Sequence, residues 1–254
     1  MLDANLNQSL HKFTPMHNLY TPEPSLEIIE NNALRGIGAI ETIAIKEGKP
    51  LNLESHIERI GEAFVFFDID NQDPLIANII NAGLAQFLEL GNNGLLRIYL
   101  PYSPTSINPI FKFTYHSVPL VHKISSLEFK ELTYKPGHTF KHMSRLVYHV
   151  PNHNATTLFY DDREFLCEAQ YHSLLFSKGG FCFTPAWPAL AIPSTAIAGI
   201  EKQGIKIYQR YIKKEDFENF DWVLLINSGS YCPIYNNTET HLTEFIENLR
   251  IFRH

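Results

Sequence analysis

Disulfides, a basic surface and membrane-length apolar runs are all missing from this chain. Three cysteines, Cys167, Cys182 and Cys232, stand far apart among 254 residues. That is an odd number without the spacing of a disulfide framework. Each falls in an apolar run, as buried thiols in a reducing compartment do. The net charge of −6 excludes a global positive field for nucleic acid or an anionic membrane. No apolar stretch reaches bilayer-spanning length, and Met1 to Phe13 has no basic segment ahead of an apolar one. The expectation is a cytoplasmic protein, in which Asn154-Ala155-Thr156 is an accidental glycosylation triplet. Several chemical signatures are absent as well. There is no G-x-S-x-G elbow and no P-loop pattern. Gly36-Ile37-Gly38 lacks the third glycine and the preceding strand of a dinucleotide site. His149 and His153 are four apart, but Pro151 between them disfavours the helix that would aim both at one metal. No metal is expected, and no repeat or low-complexity tract occurs.

What is present is an ordinary globular composition, 44% hydrophobic and 19% charged, with length for one large domain or two small ones. Aromatics at 13% suggest large cores or aromatic-lined pockets. A polar lead-in over 1–25 precedes a β-branched, alternating run over 40–45, which predicts a strand. After a turn, Leu51-Asn52-Leu53 predicts a short return strand. Ile57, Ile60 and Phe64 recur at helical spacing, with His56 and Arg59 on an adjacent face. A second helix is predicted over 75–90, closed by Gly91-Asn92-Asn93-Gly94. Strands follow over 95–100 and 111–118. A soft boundary near Pro119 divides the chain into a small N-terminal α+β domain, 1–118, and a larger C-terminal domain, 119–254. The second part predicts a strand over 128–134 and an antiparallel meander of four short apolar runs between 157 and 183. A helix over 196–211, a buried strand over 221–226, a turn at 227–230 and a terminal helix over 238–249 complete it.

The most informative stretch is Phe140-Lys141-His142-Met143-Ser144-Arg145, taken with Phe165-Leu166-Cys167-Glu168. A lysine after a strand-like run, with a carboxylate closing an apolar run downstream, fits a Schiff-base lysine and an acid that tunes a cofactor ring. A single lysine is far more often solvated. A pyridoxal-phosphate site needs more parts: a cation and backbone N–H groups for the phosphate, and a substrate-binding side chain. The chain offers Arg59, and turns at Gly199-Ile200 and at Asn227-Ser228. Each is weak alone; their order and spacing carry the argument.

In that order the chain resembles the class IV pyridoxal-phosphate family, of fold type IV. This family includes branched-chain aminotransferases, D-amino-acid aminotransferases and aminodeoxychorismate lyases. The resemblance covers about residues 33 to 234. Gly38-Ala39-Ile40-Glu41-Thr42 is similar to the G-x-F-E-T entry strand, with Ile40 for Phe. His56-Ile57-Glu58-Arg59-Ile60 matches H-[IL]-x-R-L, and Lys141-His142-x-x-Arg145-Leu146 matches the lysine segment. Glu168 closes the D-x-x-G-x-[VL]-x-E hairpin, Thr184-Pro185 matches the next T-P, and Gly199-Ile200-Glu201-Lys202 aligns with G-I-T-R. The resemblance implies pyridoxal 5′-phosphate as cofactor, carried on the catalytic Lys141. Arg59 would hold its phosphate, and Glu168 its pyridine nitrogen. Gly199, Ile200, Glu201, Asn227 and Ser228 would lie on the phosphate side. Arg97 and Thr42 are substrate-side candidates, Arg97 reading equally as a solvated strand arginine. Also implied are a two-domain α+β fold with an antiparallel-rich, barrel-like sheet, and a homodimer acting on a small amino or keto acid.

Four departures stand out. Glu201 replaces a threonine, Ser173 an asparagine and Glu164 the hairpin glycine, and the loop between Lys141 and Glu168 is about six residues shorter than in many relatives. K-H-x-x-R-L, with Leu146 where branched-chain aminotransferases carry tyrosine, looks most like aminodeoxychorismate lyase, which releases pyruvate and 4-aminobenzoate for folate synthesis. Aminotransfer is the second reading, and a non-catalytic relative, motivated by Glu201 and Ser173, the third.

Overall fold

The computed structural model describes residues 38–69, 72–103, 106–107, 109–123, 126–132, 141, 156–186, 192–235 and 239–249. The lead-in over 1–25, and His142, Arg145, Leu146, His149 and His153 of the sequence motifs, lie outside the described residues.

The first half begins with β1 (Ala39–Lys46) and β2 (Lys49–Pro50). Leu51-Asn52-Leu53 does not continue the return strand. Asn52 takes a left-handed conformation, φ 50°, which no strand passes through, and α1 (Leu53–Phe66) starts at the next residue. After α2 (Gln72–Leu90) comes β3 (Gly94–Leu100), then the short pair β4 (Tyr102–Ser103) and β5 (Ser106–Ile107), then β6 (Ile110–Tyr115). Strands β2-β1-β3-β6 form one antiparallel sheet. Its period-2 alternation sorts β1 and β3 into two faces. Ala39, Ile43 and Ile45, with Leu96, Ile98 and Leu100, pack under the apolar stripes of α1 and α2. On the opposite face Thr42 stands across from Arg97, and Ala44 across from Leu95.

In the second half β7 (Leu120–Val121), β8 (Leu127–Glu131), β9 (Thr156–Tyr160), β10 (Leu166–Ala169), β11 (Ser173–Lys178) and β12 (Phe181–Pro185) follow one another. The four runs expected to form one meander divide between two sheets. β9 and β10 pair with β8 in a three-stranded sheet, while β11 and β12 belong to a six-stranded one. The chain changes sheets across Gln170, Tyr171 and His172, because β11 pairs with β14 (Trp222–Ile226) rather than with β10. The helix expected over 196–211 is also shorter. α3 (Thr195–Glu201) is followed by β13 (Ile207–Arg210), parallel to β12. Gly204, φ +86°, supplies the left-handed turn that stops the helix, and burial of Ile207 against Cys182 rewards an extended chain beyond it.

The large sheet runs β13-β12-β11-β14-β15-β7, with β15 spanning Ser230–Tyr235. Among the described residues it is an open, mixed sheet and not a closed barrel; its edges, β13 and β7, are short strands joined in parallel to their neighbours. One face packs against α3 and α4 (Glu239–Asn248), with Trp222 and Phe245 rings 4.9 Å apart. The other covers Phe217 and Phe220 together with the three-stranded sheet. The two halves meet at the turn after β14. A Cβ on Gly229 would lie 2.5 Å from Leu95 Cδ2 and 3.1 Å from Ala44 Cβ, so this turn seats directly on the Thr42–Arg97 face of the small sheet. The architecture is the α+β arrangement expected.

Candidate active site

The site grows from one out-of-place side chain. Glu41 falls in the core-facing register of β1, between Ala39 and Ile43, and is 2% exposed. A carboxylate there must be fully compensated. It is: Arg59 Nε donates to Oε2 at 2.8 Å and Nη2 to Oε1 at 2.5 Å, while His56 Nδ1 donates to Oε1 at 2.9 Å and Thr42 N at 2.7 Å. Helical spacing of three residues puts His56 and Arg59 side by side on α1. Burial raises the Glu41 pKa, but the Arg59 and His56 charges and hydrogen bonds outweigh it and hold the carboxyl well below its usual range. His56 is fully buried, which pushes its pKa down despite Glu41. With Nδ1–H committed to the carboxylate, its Nε2 is a buried acceptor without a hydrogen-bond partner among the described residues.

Arg59 also reaches across the molecule. Its Nη1 donates to Pro193 O at 3.0 Å, 134 residues away. That carbonyl precedes Ser194, whose hydroxyl accepts from Ile197 N to cap α3, and Thr195, whose Oγ1 is 2.9 Å from Ser228 Oγ. Ser228 sits in a turn built by Asn227, whose Oδ1 accepts from Gly229 N, Ser230 N and Ser230 Oγ at 2.8–3.0 Å. Its Nδ2 donates to Tyr171 O.

Lys141 is placed by its backbone. Its carbonyl accepts from Ile40 N at 2.7 Å, along the stretch of β1 that β2 does not reach. The half-buried side chain is close enough that its charge bears on both His56 and His172. His172 is half-buried, with Nε2 3.0 Å from Ser230 Oγ and its ring edge-on to His122 at 5.5 Å. Burial first, then the His122 and Lys141 charges, pushes its pKa down to about 3, so it is neutral. Since the Ser230 hydroxyl points to Asn227, Nε2 carries the proton and donates. Glu168 is buried on β10, beside an irregularity in its pairing with β9. Arg97 is half-buried, and its charge bears on Tyr171.

The sequence-predicted residues therefore separate into groups. Arg59 and Ser228 approach the same Pro193–Thr195 segment, Lys141 lies against β1 next to Glu41, and Thr42 and Arg97 are cross-strand partners. Gly199, Ile200 and Glu201 lie in the last turn of α3, where backbone N–H groups serve the helix itself. The residues of α3 near Arg59 and Ser228 are those of its start. Glu201 is exposed. Glu41, His56, Thr195 and His172 join the site only in the folded chain. Glu41 was detectable as a charge in the buried register of an otherwise apolar strand; Thr195 had no local signal.

The donor set suits a phosphorylated aldehyde cofactor: a buried arginine, paired hydroxyls, a half-buried lysine and a buried carboxylate. A model of the class IV aminotransferase family matches residues 38–234, and the chain belongs to that family. It is accordingly a pyridoxal-phosphate-dependent enzyme of the aminotransferase and lyase group. No curated protein matches it by sequence. Among solved structures it is similar to 4-amino-4-deoxychorismate lyase from Pseudomonas aeruginosa, with 19% identity, 90% of this chain and 96% of that one covered, and TM-score 0.65. It is similar to the PLP-bound form of a hypothetical aminotransferase from Mycobacterium tuberculosis, with 13% identity, 95% of each chain covered and TM-score 0.72. The branched-chain amino acid aminotransferase from Escherichia coli matches at 15% identity over 87% of each chain, TM-score 0.66. At these identities the likenesses establish the fold.

Proposed function

We propose that the chain is a 4-amino-4-deoxychorismate lyase, eliminating pyruvate to leave 4-aminobenzoate for folate synthesis. The observation that carries this is the lysine segment Lys141-His142-x-x-Arg145-Leu146, whose form resembles the lyases rather than the branched-chain aminotransferases. The fold likeness to the Pseudomonas aeruginosa lyase is consistent with it.

Pyridoxal phosphate, when bound, supplies an electron sink for the pair left as a proton leaves the substrate carbon. Lys141 supplies the amine that carries it and then moves that proton. Glu168 would keep the pyridine nitrogen protonated from a buried position. Arg59 and the Ser228 turn would hold the phosphate. Arg97 and Thr42, on the face against which Gly229 packs, would bind a substrate carboxylate. The chain would divide near Pro119 into domains 1–118 and 119–254; the four-stranded sheet is built wholly from the first, and β7 joins the large sheet just beyond. A homodimer in the cytoplasm completes the reading; the three buried cysteines, none in a disulfide, fit the reducing compartment and have no bearing on the dimer. Light scattering tests the dimer.

Incubation of purified enzyme with 4-amino-4-deoxychorismate while following 4-aminobenzoate tests the activity. Release of 4-aminobenzoate that requires Lys141 is expected. Amino-group transfer to a panel of keto acids without such release would instead establish aminotransferase action on D-amino or branched-chain amino acids, which the Glu41-Thr42 entry strand also fits.

A further inference from the structure

We propose that Glu41 is the positioning residue of the phosphate site, fixing the Arg59 guanidinium so that its Nη1 edge faces Pro193. The inference rests on the reading that Arg59 meets the cofactor phosphate. Three observations carry it. Glu41 is buried in an apolar register, where a carboxylate persists only with full compensation. It grips Arg59 through Nε and Nη2, a two-point fork that sets the guanidinium plane, whereas one contact would leave it free to swivel. The remaining edge, Nη1, then reaches Pro193 O, two residues from the Thr195 hydroxyl that meets Ser228. His56, sharing Oε1, braces the carboxylate from the other side. Glu41 thus acts on the phosphate only through Arg59.

The test compares pyridoxal 5′-phosphate with pyridoxal, which lacks the phosphate, by titration of intrinsic fluorescence. Glu41→Gln is expected to raise Kd for pyridoxal 5′-phosphate roughly tenfold, the loss of charge-assisted hydrogen bonds. The Kd for pyridoxal should stay within about twofold, since no phosphate is present to sense Arg59. In an Arg59→Lys background, Glu41→Gln should add little, because the two residues act as one unit. Glu41→Asp keeps the charge but withdraws the fork by one methylene; it should show the same selective loss, and it decides the matter if Glu41→Gln does not fold. Equal losses for both ligands, no loss, or additive losses with Arg59→Lys would overturn the proposal. A wild-type enzyme that binds both ligands equally would instead overturn the placement of phosphate at Arg59, and this inference with it.

Discussion

The hydroxyls of Thr195 and Ser228 lie 2.9 Å apart although 33 residues separate them. Each is immobilised independently, Thr195 at the capped start of α3 and Ser228 in the Asn227 turn. Thr195→Val and Ser228→Ala should each raise Kd for pyridoxal 5′-phosphate by about three- to tenfold, a lost hydrogen bond apiece. The double variant should lose less than the product of the two. Fluorescence titration of the cofactor checks this; strictly multiplicative losses would show that the hydroxyls act separately.

Lys141 is the half-buried amine whose charge bears on His56 and His172. Lys141→Ala should leave a folded protein that keeps no cofactor after dialysis. Wild type treated with borohydride should gain the mass of one phosphopyridoxyl group, the cofactor less water plus two hydrogens, by intact-protein mass spectrometry. The same gain in the variant would reassign the attachment point.

His56 and His172 both have pKa values below the usual 6.5, chiefly through burial, His172 down to about 3. Below pH 6.5 the unfolded chain protonates both while the folded chain resists, so the unfolded state binds more protons. Stability should therefore fall as pH drops, by up to about 1.4 kcal/mol per pH unit from His172, with His56 acting in the same direction. Glu41, held low in the fold, adds to the loss below its ordinary 4.5. Urea midpoints taken between about pH 7 and about pH 5 measure the slope. His172→Gln should flatten it, and an unchanged slope would show that His172 titrates normally.

Asp161, 1% exposed, organises the hairpin between β9 and β10: its Oδ1 accepts from Arg163 N and Phe165 N, and its Oδ2 from the Arg163 guanidinium. Glu164 in the same turn has φ 66°, the left-handed conformation that favours glycine. Asp161→Ala should cost about 2–3 kcal/mol through its stranded backbone donors. Asp161→Asn, which keeps the Oδ1 acceptor, should cost roughly half that. Denaturant unfolding distinguishes them.

Periodicity located most elements because helices and strands place side chains at fixed intervals. The stripe Ile57, Ile60, Phe64 corresponds to α1, and the alternation over 40–45 to β1. Where two patterns compete, tertiary context chose. The apolar residues after Gly204 extend a helical reading of 196–211, yet pairing with β12 makes them a strand. Likewise 157–183 alternates like one meander, but β11 takes β14 as its partner.

The sequence by itself determined the family: the order of Arg59, Lys141 and Glu168 among recognisable motifs, and the α+β succession around them. Only the tertiary structure decided that Glu41 grips Arg59, that the start of α3 meets Arg59 and Ser228, and that the large sheet stays open among the described residues. The reason is physical. Helix and strand preferences act between neighbours and leave a periodic trace, whereas a hydrogen bond closing over 134 residues has no local signature and exists only once the chain has packed.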